Sequence, residues 1–357
     1  MFRVCVAVRA NRRTCTWASL PACNMATMKA VVFTPGIGLA LKDIARPTPG
    51  PGEALVRVRR VGVCSTDLEI TRGYAGYQGV LGHEFIGELA QVPDGSKLSV
   101  GDRVVGEINV TCGHCKNCQI GGVPKRNHCL DRTVVGIIGK QGTFAEYITL
   151  PVENLHKVPD NVDDQTAAFA EPLAAAFRIV EQGVIKETDK VAIIGDGKLG
   201  MMIAEAINSI KCDSIVFFGK HQEKLTLAPK TVKPEKVTEK TVLEHRDQFD
   251  VTIEATGNPS GIMLAAEITR PLGTMVLKTT CTGDYRGFNT APLVVKELTI
   301  VGSRCGNFPM ALDLLSSGKV DMQKYISKVY LLKEAVAAIA HATMRGTLKI
   351  QICMVDN

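Results

Sequence analysis

The chain has 357 residues, of which 45% are hydrophobic and 22% are charged, with a single Trp. This length suffices for two ordinary domains, and no apolar run approaches the roughly eighteen residues that indicate a membrane span. The formal net charge is +6, but four arginines and no acidic residue lie in the first 27 positions, which leaves +2 for the remainder. A near-neutral body without a basic stripe argues against nucleic-acid binding, and we expect neither nucleic acid nor membrane as a partner.

Residues 1–27 are Arg-rich, free of acidic residues and scattered with Ser and Thr, as organelle transit peptides often are. The alternative is that translation begins at Met25 or Met28, just before a strand-like segment. Both interpretations stay open. We expect a soluble cytoplasmic protein under the second, and a mitochondrial or plastid protein under the first, with residues 1–24 as the transit peptide.

Residues 28–165 predict an all-β, barrel-like lobe, because short alternating strands are punctuated there by Gly and Pro. Candidate strands cover residues 54–61, 101–105 and 143–148.

Residues 166–301 predict a different architecture, in which strands alternate with helices in a parallel, doubly wound sheet. The predicted helices include 166–182 and 198–210, and the predicted strands are 191–194, 214–218, 249–254, 274–277 and 298–301. Residues 230–240 are highly charged and are predicted to be solvated surface. Residues 302–357 are a mixed segment that we expect to return to the first lobe.

Four cysteines fall within eighteen residues of the first lobe: Cys112, Cys115, Cys118 and Cys129. Closely spaced thiolates on one loop can surround a zinc ion in a tetrahedron with little strain. Two disulfides are the alternative, but they require an oxidising compartment, and the chain has no apolar secretory segment. The spacing therefore predicts a closed zinc site, and since such a site performs no chemistry, the reaction must lie elsewhere.

The sequence Gly-Asp-Gly-Lys-Leu-Gly that begins at Gly195 follows a predicted buried strand and opens a predicted helix. This context predicts a dinucleotide-binding turn. Gly195 permits the tight turn, Gly197 lets a pyrophosphate approach the backbone, and Gly200 brings helix and strand together. We expect these glycines, with Lys198 and Leu199, to bind the cofactor.

The residues that end the second strand of such a unit indicate which dinucleotide binds. An acidic residue there normally holds the ribose 2′-hydroxyl of NAD. Here the strand is followed by Gly219, Lys220 and His221, with no carboxylate in this stretch to repel a 2′-phosphate. We therefore expect NADP, with NAD as the alternative if Lys220 and His221 are ordinary turn residues.

Cys64 and His83, together with Glu171, form a second group of possible metal ligands. One thiolate, one imidazole and a third ligand make the open type of zinc site, which keeps a position free for water or substrate. Each residue alone is ordinary, since a single Cys or His usually has a structural role and Glu171 suits the start of a helix. Their order ahead of a dinucleotide turn favours a catalytic zinc.

From Met28 to its end, the chain resembles the zinc-dependent alcohol dehydrogenase branch of the medium-chain dehydrogenase/reductase superfamily, with features of its polyol and threonine dehydrogenases. The segments that carry the resemblance begin at Gly62 (GVCSTD), Gly82 (GHEFIG), Gly101 (GDRV), Cys112 (the four-cysteine loop), Gly142 (GTFAEY), Glu171 (EPLA), Gly195 (GDGKLG) and Val301 (VGSRCG). The resemblance implies a GroES-like β-barrel catalytic domain, a Rossmann NAD(P)-binding domain, and an active site in the cleft between them.

The resemblance also implies roles for individual residues. Cys64 and His83 would hold the catalytic zinc with Glu171 as a further ligand. Glu84 would lie close to the metal, able to exchange with Glu171 or water. Thr66 matches the hydroxyl that receives the substrate proton.

Four more residues take roles from their positions in the family pattern. Asp67 would orient His83 from behind the metal. Lys349 would approach a cofactor phosphate, and Arg304 would approach cofactor or substrate. Glu69 replaces a histidine that some relatives use to pass the proton outward, which leaves the outer proton relay open.

The cysteine loop departs from the family in the spacer before Cys129, which is longer than usual and includes residues 123–126. Cys129 is still expected to be the fourth ligand. His114 and His128 flank the cysteines and are the alternative ligands.

We therefore expect an oxidoreductase that transfers a hydride between an alcohol or polyol, or the matching aldehyde or other carbonyl, and NADP or NAD, with one catalytic and one structural zinc per chain. The alternatives are a zinc-free quinone or enone reductase of the same fold and a non-catalytic dinucleotide-binding protein. The resemblance also implies a homodimer or homotetramer.

Overall fold

The structure is a computed structural model that describes residues 26–280 and 289–354. Almost all of the Arg-rich N-terminal segment lies outside these ranges, so the choice between a transit peptide and a start at Met25 or Met28 stays a prediction. Within the described ranges, no helix combines the length and the apolar character needed to cross a bilayer.

The first lobe consists of short strands, as its sequence predicts. Its strands are β1 (Thr27–Thr34), β2 (Gly38–Ala45), β3 (Glu53–Gly62), β4 (Gly79–Val80), β5 (Glu84–Gln91), β6 (Arg103–Gly106), β7 (Asn109–Val110), β8 (Thr133–Val135), β9 (Gly139–Lys140), β10 (Tyr147–Pro151) and β11 (Leu155–Lys157). Its helices are α1 (Ser65–Thr71), α2 (Lys116–Ile120) and α3 (Gly122–His128). The main sheet has the order β11-β6-β5-β3, and β10 pairs with β3. Two small sheets, β2-β1-β4 and β7-β8-β9, complete the lobe.

The predicted strand over residues 143–148 is shifted in the structure to Tyr147–Pro151. The residues before it pair irregularly with another loop, since the backbone N–H groups of Gly142, Thr143 and Phe144 donate to carbonyls of residues 80–82. This pairing satisfies their backbone groups outside the sheet.

The second unit alternates strands and helices. Its elements are α4 (Asp164–Ala167), α5 (Ala170–Glu181), β12 (Lys190–Ile194), α6 (Lys198–Asn208), β13 (Ser214–Gly219), α7 (Gln222–Leu225), β14 (Lys233–Lys236), α8 (Thr241–His245), β15 (Phe249–Glu254), α9 (Pro259–Ile268), β16 (Thr269–Leu277), α10 (Ala291–Val295) and β17 (Thr299–Gly302). All strand pairs are parallel, in the order β14-β13-β12-β15-β16-β17. This is the doubly wound arrangement predicted from the sequence.

Both faces of this sheet are covered, as a parallel sheet requires. Val191 and Ile193 of β12 pack into a core shared with α5 and α6, whereas Ala192 and Ile194 pack on the opposite face with residues of α9. Successive side chains of β12 therefore pack into two separate hydrophobic cores, one on each face of the sheet.

Residues 230–240 are not merely solvated surface, because β14 lies within them as the edge strand of the sheet. Its sequence is Lys-Pro-Glu-Lys, and its side chains are mostly exposed. Charged residues and Pro are common on edge strands, where they prevent pairing with another chain. The charge pattern correctly indicated exposed surface, but it did not predict the edge strand that lies there.

The predicted helix over residues 166–182 is divided into α4 and α5. Asp163 caps α4 by accepting the backbone N–H of Thr166 at 2.7 Å. Pro172 lies in the first turn of α5, where its missing N–H costs no hydrogen bond; in a continuous helix it would break one. The division places Glu171 in that same first turn.

The C-terminal segment returns to the first lobe. It contains α11 (Phe308–Ser316), β18 (Ile326–Leu331), α12 (Ala335–His341) and β19 (Lys349–Cys353). β19 pairs antiparallel with β3 and parallel with β18, which extends the main sheet of that lobe. The exact domain boundaries stay a prediction.

Candidate functional site

A sulfur, an imidazole and a carboxylate meet where the first lobe faces the second unit. Cys64 precedes α1, and His83 and Glu84 lie at the start of β5. One potential ligand atom of each lies within 4.8 Å of the others. A thiolate and an imidazole with one carboxylate form the donor set of an open zinc site, so these residues fit that metal.

Asp67, which is fully buried in α1, holds this donor set in place. Its carboxylate accepts the backbone N–H of Cys64 at 2.8 Å and that of Gly82 at 3.1 Å. Its Oδ1 lies 3.4 Å from Nδ1 of His83, which is ion-pair distance, although Nδ1 makes no hydrogen bond. Burial acts to lower the pKa of His83, but the charges of Asp67 and Cys64 outweigh it and raise this pKa well above its ordinary value.

Glu84 is paired with Lys349, the first residue of β19. Nζ of Lys349 lies 2.5 Å from Oε2 of Glu84, and the two side chains are only 3% and 1% exposed. Gly62 makes room for this pair, since a Cβ at that position would lie 2.3 Å from Oε2 of Glu84. The ammonium that we expect near a cofactor phosphate is thus engaged by a carboxylate in this structure.

Glu171 lies outside the close donor set formed by Cys64, His83 and Glu84 within the described part of the chain. Burial raises the pKa of Glu171 to about 7, and the nearby charge of Glu84 adds to the shift while His83 and Lys349 oppose it. The structure therefore places Glu171 beside the site, with Glu84 in the position closest to the other donors.

Thr66 and Glu69, the residues considered for the proton relay, both lie in α1, directly after Cys64. Oγ1 of Thr66 lies 3.7 Å from Sγ of Cys64, so its hydroxyl is next to the donor set. Glu69 forms an exposed ion pair with Arg72 at 2.6 Å. The outer relay stays open.

The four cysteines of the loop converge on one point. Their sulfurs lie 3.5 to 3.9 Å apart in four pairs: Cys112–Cys118, Cys115–Cys118, Cys115–Cys129 and Cys129–Cys112. Zinc–sulfur bonds of about 2.3 Å in a tetrahedron separate the sulfurs by about 3.8 Å. The cluster therefore fits a zinc ion.

Backbone N–H groups donate to these sulfurs and favour the thiolate form of Cys115, whereas burial and the neighbouring sulfurs raise the pKa of Cys118 to about 12. The N–H of Leu130 donates to Sγ of Cys115, and this bond is the main cause that lowers the pKa of Cys115 to about 6. The N–H of Cys112 donates to Sγ of Cys129 at 3.3 Å.

The longer spacer before Cys129 forms helix α3 and anchors the loop. Lys125 pairs with Glu153 at 2.6 Å, and Arg126 makes hydrogen bonds to both carboxylate oxygens of Glu181 in α5. This explains how the extra residues are accommodated while Cys129 still reaches the cluster.

The two histidines that flank the cysteines differ in their surroundings. His114 is exposed, and its Nδ1 lies 2.8 Å from the carbonyl of Cys112. Burial is the main cause that lowers the pKa of His128, with nearby arginines adding to it. Neither belongs to the four-sulfur cluster.

The glycine turn has the geometry that its sequence predicts. Gly195 has φ +121°, and a Cβ there would lie 2.7 Å from the carbonyl oxygen of Ala255. A Cβ on Gly200 would lie 1.7 Å from the carbonyl oxygen of Gly195, so only Gly allows helix and strand to pack this closely. Gly197 has open space at its Cβ position, where a ligand could approach.

Lys198 opens helix α6 and turns its ammonium inward. Its Nζ is buried and has no hydrogen-bond partner among the described residues. Burial and the charge of Lys349 lower the pKa of Lys198. A buried cation without a partner beside a helix N-terminus fits the pyrophosphate of a dinucleotide.

A carboxylate does lie at the end of β13, contrary to the expectation that none would. It belongs to Asp196, which comes from the glycine turn itself. Its Oδ2 accepts the backbone N–H groups of Lys220 and His221, each at 2.7 Å, and lies 3.0 Å from Nδ1 of His221. Asp196 is distant in sequence from this turn, so no local pattern predicts this contact.

Arg304 joins the second unit to the cysteine lobe. Its guanidinium donates to Oδ1 of Asn109 at 2.8 Å and to the carbonyl of Asn127 at 3.3 Å. In this structure its polar atoms therefore contact protein groups, and a role toward cofactor or substrate stays a prediction.

Lys278 is a further charged residue that the sequence analysis did not select. It follows β16, is 8% exposed, and its Nζ donates to Oγ of Ser303 at 3.2 Å and to the carbonyl of Arg304 at 2.5 Å. A lysine directly after an apolar strand was the signal that could have identified it, since ligands bind at the carboxyl ends of parallel strands.

The chain matches two known domain families. Residues 50–160 match the alcohol dehydrogenase GroES-like domain, and residues 199–317 match the zinc-binding dehydrogenase domain. The first match contains both the cysteine loop and the Cys64, His83 and Glu84 donor set.

Several similar proteins are described as dehydrogenases. An L-threonine 3-dehydrogenase from Idiomarina loihiensis is 34% identical over 244 residues, which are 62% of this chain and 68% of that protein. A Sinorhizobium meliloti 1021 protein described as a zinc-binding dehydrogenase and solved with NADP is 26% identical, with a TM-score of 0.82 over 92% of this chain and 100% of that chain. An Escherichia coli CFT073 protein, RspB, described as a short chain alcohol dehydrogenase and solved with NADH, is 28% identical, with a TM-score of 0.83 over 92% and 99%.

Proposed function

Since this chain belongs to the zinc-dependent alcohol dehydrogenase family, we propose that it oxidises the CH–OH group of an alcohol or polyol, or reduces the matching carbonyl, with a nicotinamide dinucleotide as hydride carrier. The observation that carries this proposal is the close donor set of Cys64, His83 and Glu84, in which His83 and Glu84 are buried and Cys64 is half-buried. A zinc-free quinone or enone reductase would have no use for these ligands, nor for Asp67 behind them.

Zinc at this donor set would polarise the alcohol oxygen and make its deprotonation easier. Cys64 and His83 would hold the metal, with Glu171 as a further ligand. Glu84 is near enough to exchange with Glu171, and its ion pair with Lys349 holds its carboxylate in position.

The remaining residues orient the donor set and move the proton. Asp67 fixes the backbone of Cys64 and faces the ring of His83. The hydroxyl of Thr66, next to Sγ of Cys64, would receive the alcohol proton.

NADP is the cofactor that we propose to be preferred. Lys220 is exposed directly after β13, where the 2′-phosphate of NADP would bind. Oδ2 of Asp196 already accepts two backbone hydrogen bonds from the turn that contains Lys220 and His221. This carboxylate is therefore partly satisfied by that turn and is less available to the ribose 2′-hydroxyl of NAD.

A second zinc is proposed for the cluster of Cys112, Cys115, Cys118 and Cys129. Four thiolates leave no open position, so this metal would stabilise the loop and take no part in the reaction. The loop contacts the second unit through Arg126 and Glu181, and its stability therefore affects how the two units are held together.

A homodimer or homotetramer is proposed for the assembly. β17 ends the described sheet, and exposed apolar residues lie in it (Ile300) and in the preceding helix α10 (Val294 and Val295). An apolar edge strand of this kind is suited to pairing with a second copy of the chain. Light scattering of the purified protein tests the assembly, and a monomer at all concentrations would contradict it.

The proposed activity is tested by a screen of aliphatic, aromatic and polyhydroxy alcohols and their carbonyl counterparts, each with NADP and NAD. Because the related enzyme from Idiomarina loihiensis is an L-threonine 3-dehydrogenase, β-hydroxy amino acids belong in the screen. We expect dinucleotide reduction with at least one secondary alcohol or polyol, faster with NADP, by protein that contains zinc. Zinc-containing protein that binds neither dinucleotide would overturn the proposal.

A further inference from the structure

Lys278 places a buried positive charge at the carboxyl edge of the parallel sheet. It directly follows β16, and its side chain is 8% exposed. Its ammonium donates to Ser303 and to the carbonyl of Arg304, both of which follow the neighbouring strand β17. These two acceptors are neutral, so the hydrogen bonds fix the ammonium without neutralising it.

The charges that act on Lys278 come from the candidate active site and its surroundings. Burial lowers the pKa of Lys278 to about 7, and the charge of Arg178 acts in the same direction, whereas Cys305 and Glu171 favour the protonated form without offsetting the effect of burial. No carboxylate of the described residues forms an ion pair with Nζ. The charge of Lys278 therefore interacts with that of Glu171, beside the candidate active site.

The topology decides which part of a dinucleotide would occupy this space. In a doubly wound sheet, the cofactor lies across the carboxyl ends of the strands, with one nucleotide over each half. The glycine turn and the Lys220 turn belong to the half formed by β12, β13 and β14, so the adenosine part binds there. The nicotinamide part must then lie over β15, β16 and β17, where Lys278 is.

The candidate zinc ligands impose the same location. A ring that exchanges a hydride with an alcohol at Cys64 and His83 must lie close to them. Glu171 acts electrostatically on both His83 and Lys278. The nicotinamide ring would therefore lie with Lys278 near its face that is turned toward the sheet.

We propose that Lys278 controls the relative binding of the two redox forms of the cofactor, because its charge makes the bound oxidised nicotinamide less stable than the bound reduced one. The oxidised ring carries a positive charge, and acceptance of a hydride removes it, whereas the ammonium of Lys278 stays in place. Repulsion between the two charges weakens binding of NADP⁺ but not of NADPH, and it favours hydride transfer from the alcohol to the ring. This inference rests on the proposed function, because it requires a nicotinamide cofactor in the cleft.

Binding measurements on the zinc-containing full chain test this proposal without turnover. Titration calorimetry gives the Kd of NADP⁺ and the Kd of NADPH. The first value divided by the second is the ratio that reports the effect of Lys278. The measurement is made at about pH 6, where the ammonium is protonated. We expect Lys278→Met to tighten NADP⁺ and lower the ratio by roughly tenfold, with little change for NADPH.

Lys220→Met is the matched control. The 2′-phosphate is the same in both redox forms, so this substitution should weaken the binding of NADP⁺ and of NADPH equally and leave the ratio of their Kd values unchanged. Lys278→Arg, which keeps the charge, should keep the wild-type ratio. Lys278→Gln removes the charge but can still donate to Ser303 or Arg304, and it is used if Lys278→Met does not fold.

The outcomes separate this inference from the proposed function. If wild-type protein binds neither NADP⁺ nor NADPH, the proposed function fails. If it binds both, and the charge-removing variants of Lys278 keep the wild-type ratio, the proposed function stands and the role of Lys278 is overturned.

Discussion

Nζ of Lys349 and Oε2 of Glu84 lie 2.5 Å apart, and both side chains are almost completely buried beside the candidate zinc ligands. A buried ion pair gains little net stability when intact, but loss of one partner leaves an uncompensated charge. The pair thus couples the C-terminal strand β19, which carries Lys349, to the donor set.

Lys349→Met should lower the free energy of unfolding by about 3 kcal/mol, because it leaves the carboxylate of Glu84 buried without its partner. The double variant Lys349→Met with Glu84→Gln should recover part of that loss, since it removes both charges. Urea denaturation measures both effects. A double variant that loses the full sum of the single losses would show that the two residues are not coupled.

Two glycines of the cofactor turn should respond differently to Ala. Gly200→Ala places a methyl group against the carbonyl of Gly195, so we expect loss of about 3 kcal/mol or failure to fold. Gly197→Ala has open space, so it should fold with wild-type stability but weaken dinucleotide binding about tenfold or more, because the methyl group occupies the path of the pyrophosphate. Thermal unfolding and cofactor titration separate the two, and equal stability losses would contradict this description of the turn.

Lys220→Ala should lower kcat/KM for NADP by about tenfold, because it removes a cation from the 2′-phosphate site. The value for NAD should not change. Lys230→Ala, which removes another exposed lysine of the same unit, is the control and should affect neither cofactor. Steady-state kinetics with both dinucleotides measures this, and equal losses with NADP and NAD would contradict the assignment.

The stability of the protein should depend on pH through Lys278. Burial lowers its folded-state pKa to about 7 from 10.5, so between these pH values the unfolded chain binds more protons than the folded one. Stability due to this group is therefore lowest below about pH 7 and rises as the pH increases toward 10.5. Between about pH 6 and about pH 9, the free energy of unfolding of the wild type should increase by about 2 kcal/mol relative to that of Lys278→Met. A constant difference in urea midpoints across this range would contradict the prediction.

Much of the architecture follows from local sequence patterns. The buried strand before Gly195 and the spacing of the glycines predict the turn. The structure confirms the steric requirement for glycine at Gly195 and Gly200, where a Cβ would collide with a backbone carbonyl. The short strands of the first lobe follow from Gly and Pro in the same way. β14 was missed because an edge strand needs no apolar alternation, so its charges resemble those of a loop.

The site was less predictable where contacts join residues distant in sequence. The spacing of Cys64 and His83 suggests a zinc site, but only the fold places Glu84 closer to them than Glu171. Asp196 reaches the end of β13 from a turn more than twenty residues earlier, and no local pattern records that contact. A role for Lys278 likewise becomes evident only when the fold places it at the carboxyl edge of the sheet.

The central claim is that Cys64 and His83 hold a catalytic zinc, separate from the zinc of the cysteine loop. Three matched Cys→Ser variants test it by metal analysis and alcohol-dependent dinucleotide reduction on the same samples. Cys212→Ser, a thiol outside both clusters, should retain the wild-type zinc content and activity. Cys115→Ser should destabilise the loop and lose its zinc, since one of four thiolates is removed.

Cys64→Ser is the decisive variant. We predict that it keeps the loop zinc, loses the second zinc, and has activity reduced by about a thousandfold or more, because the polarised alcohol can no longer be held at the site. A Cys64→Ser protein with the wild-type zinc content and full alcohol oxidation would contradict the account.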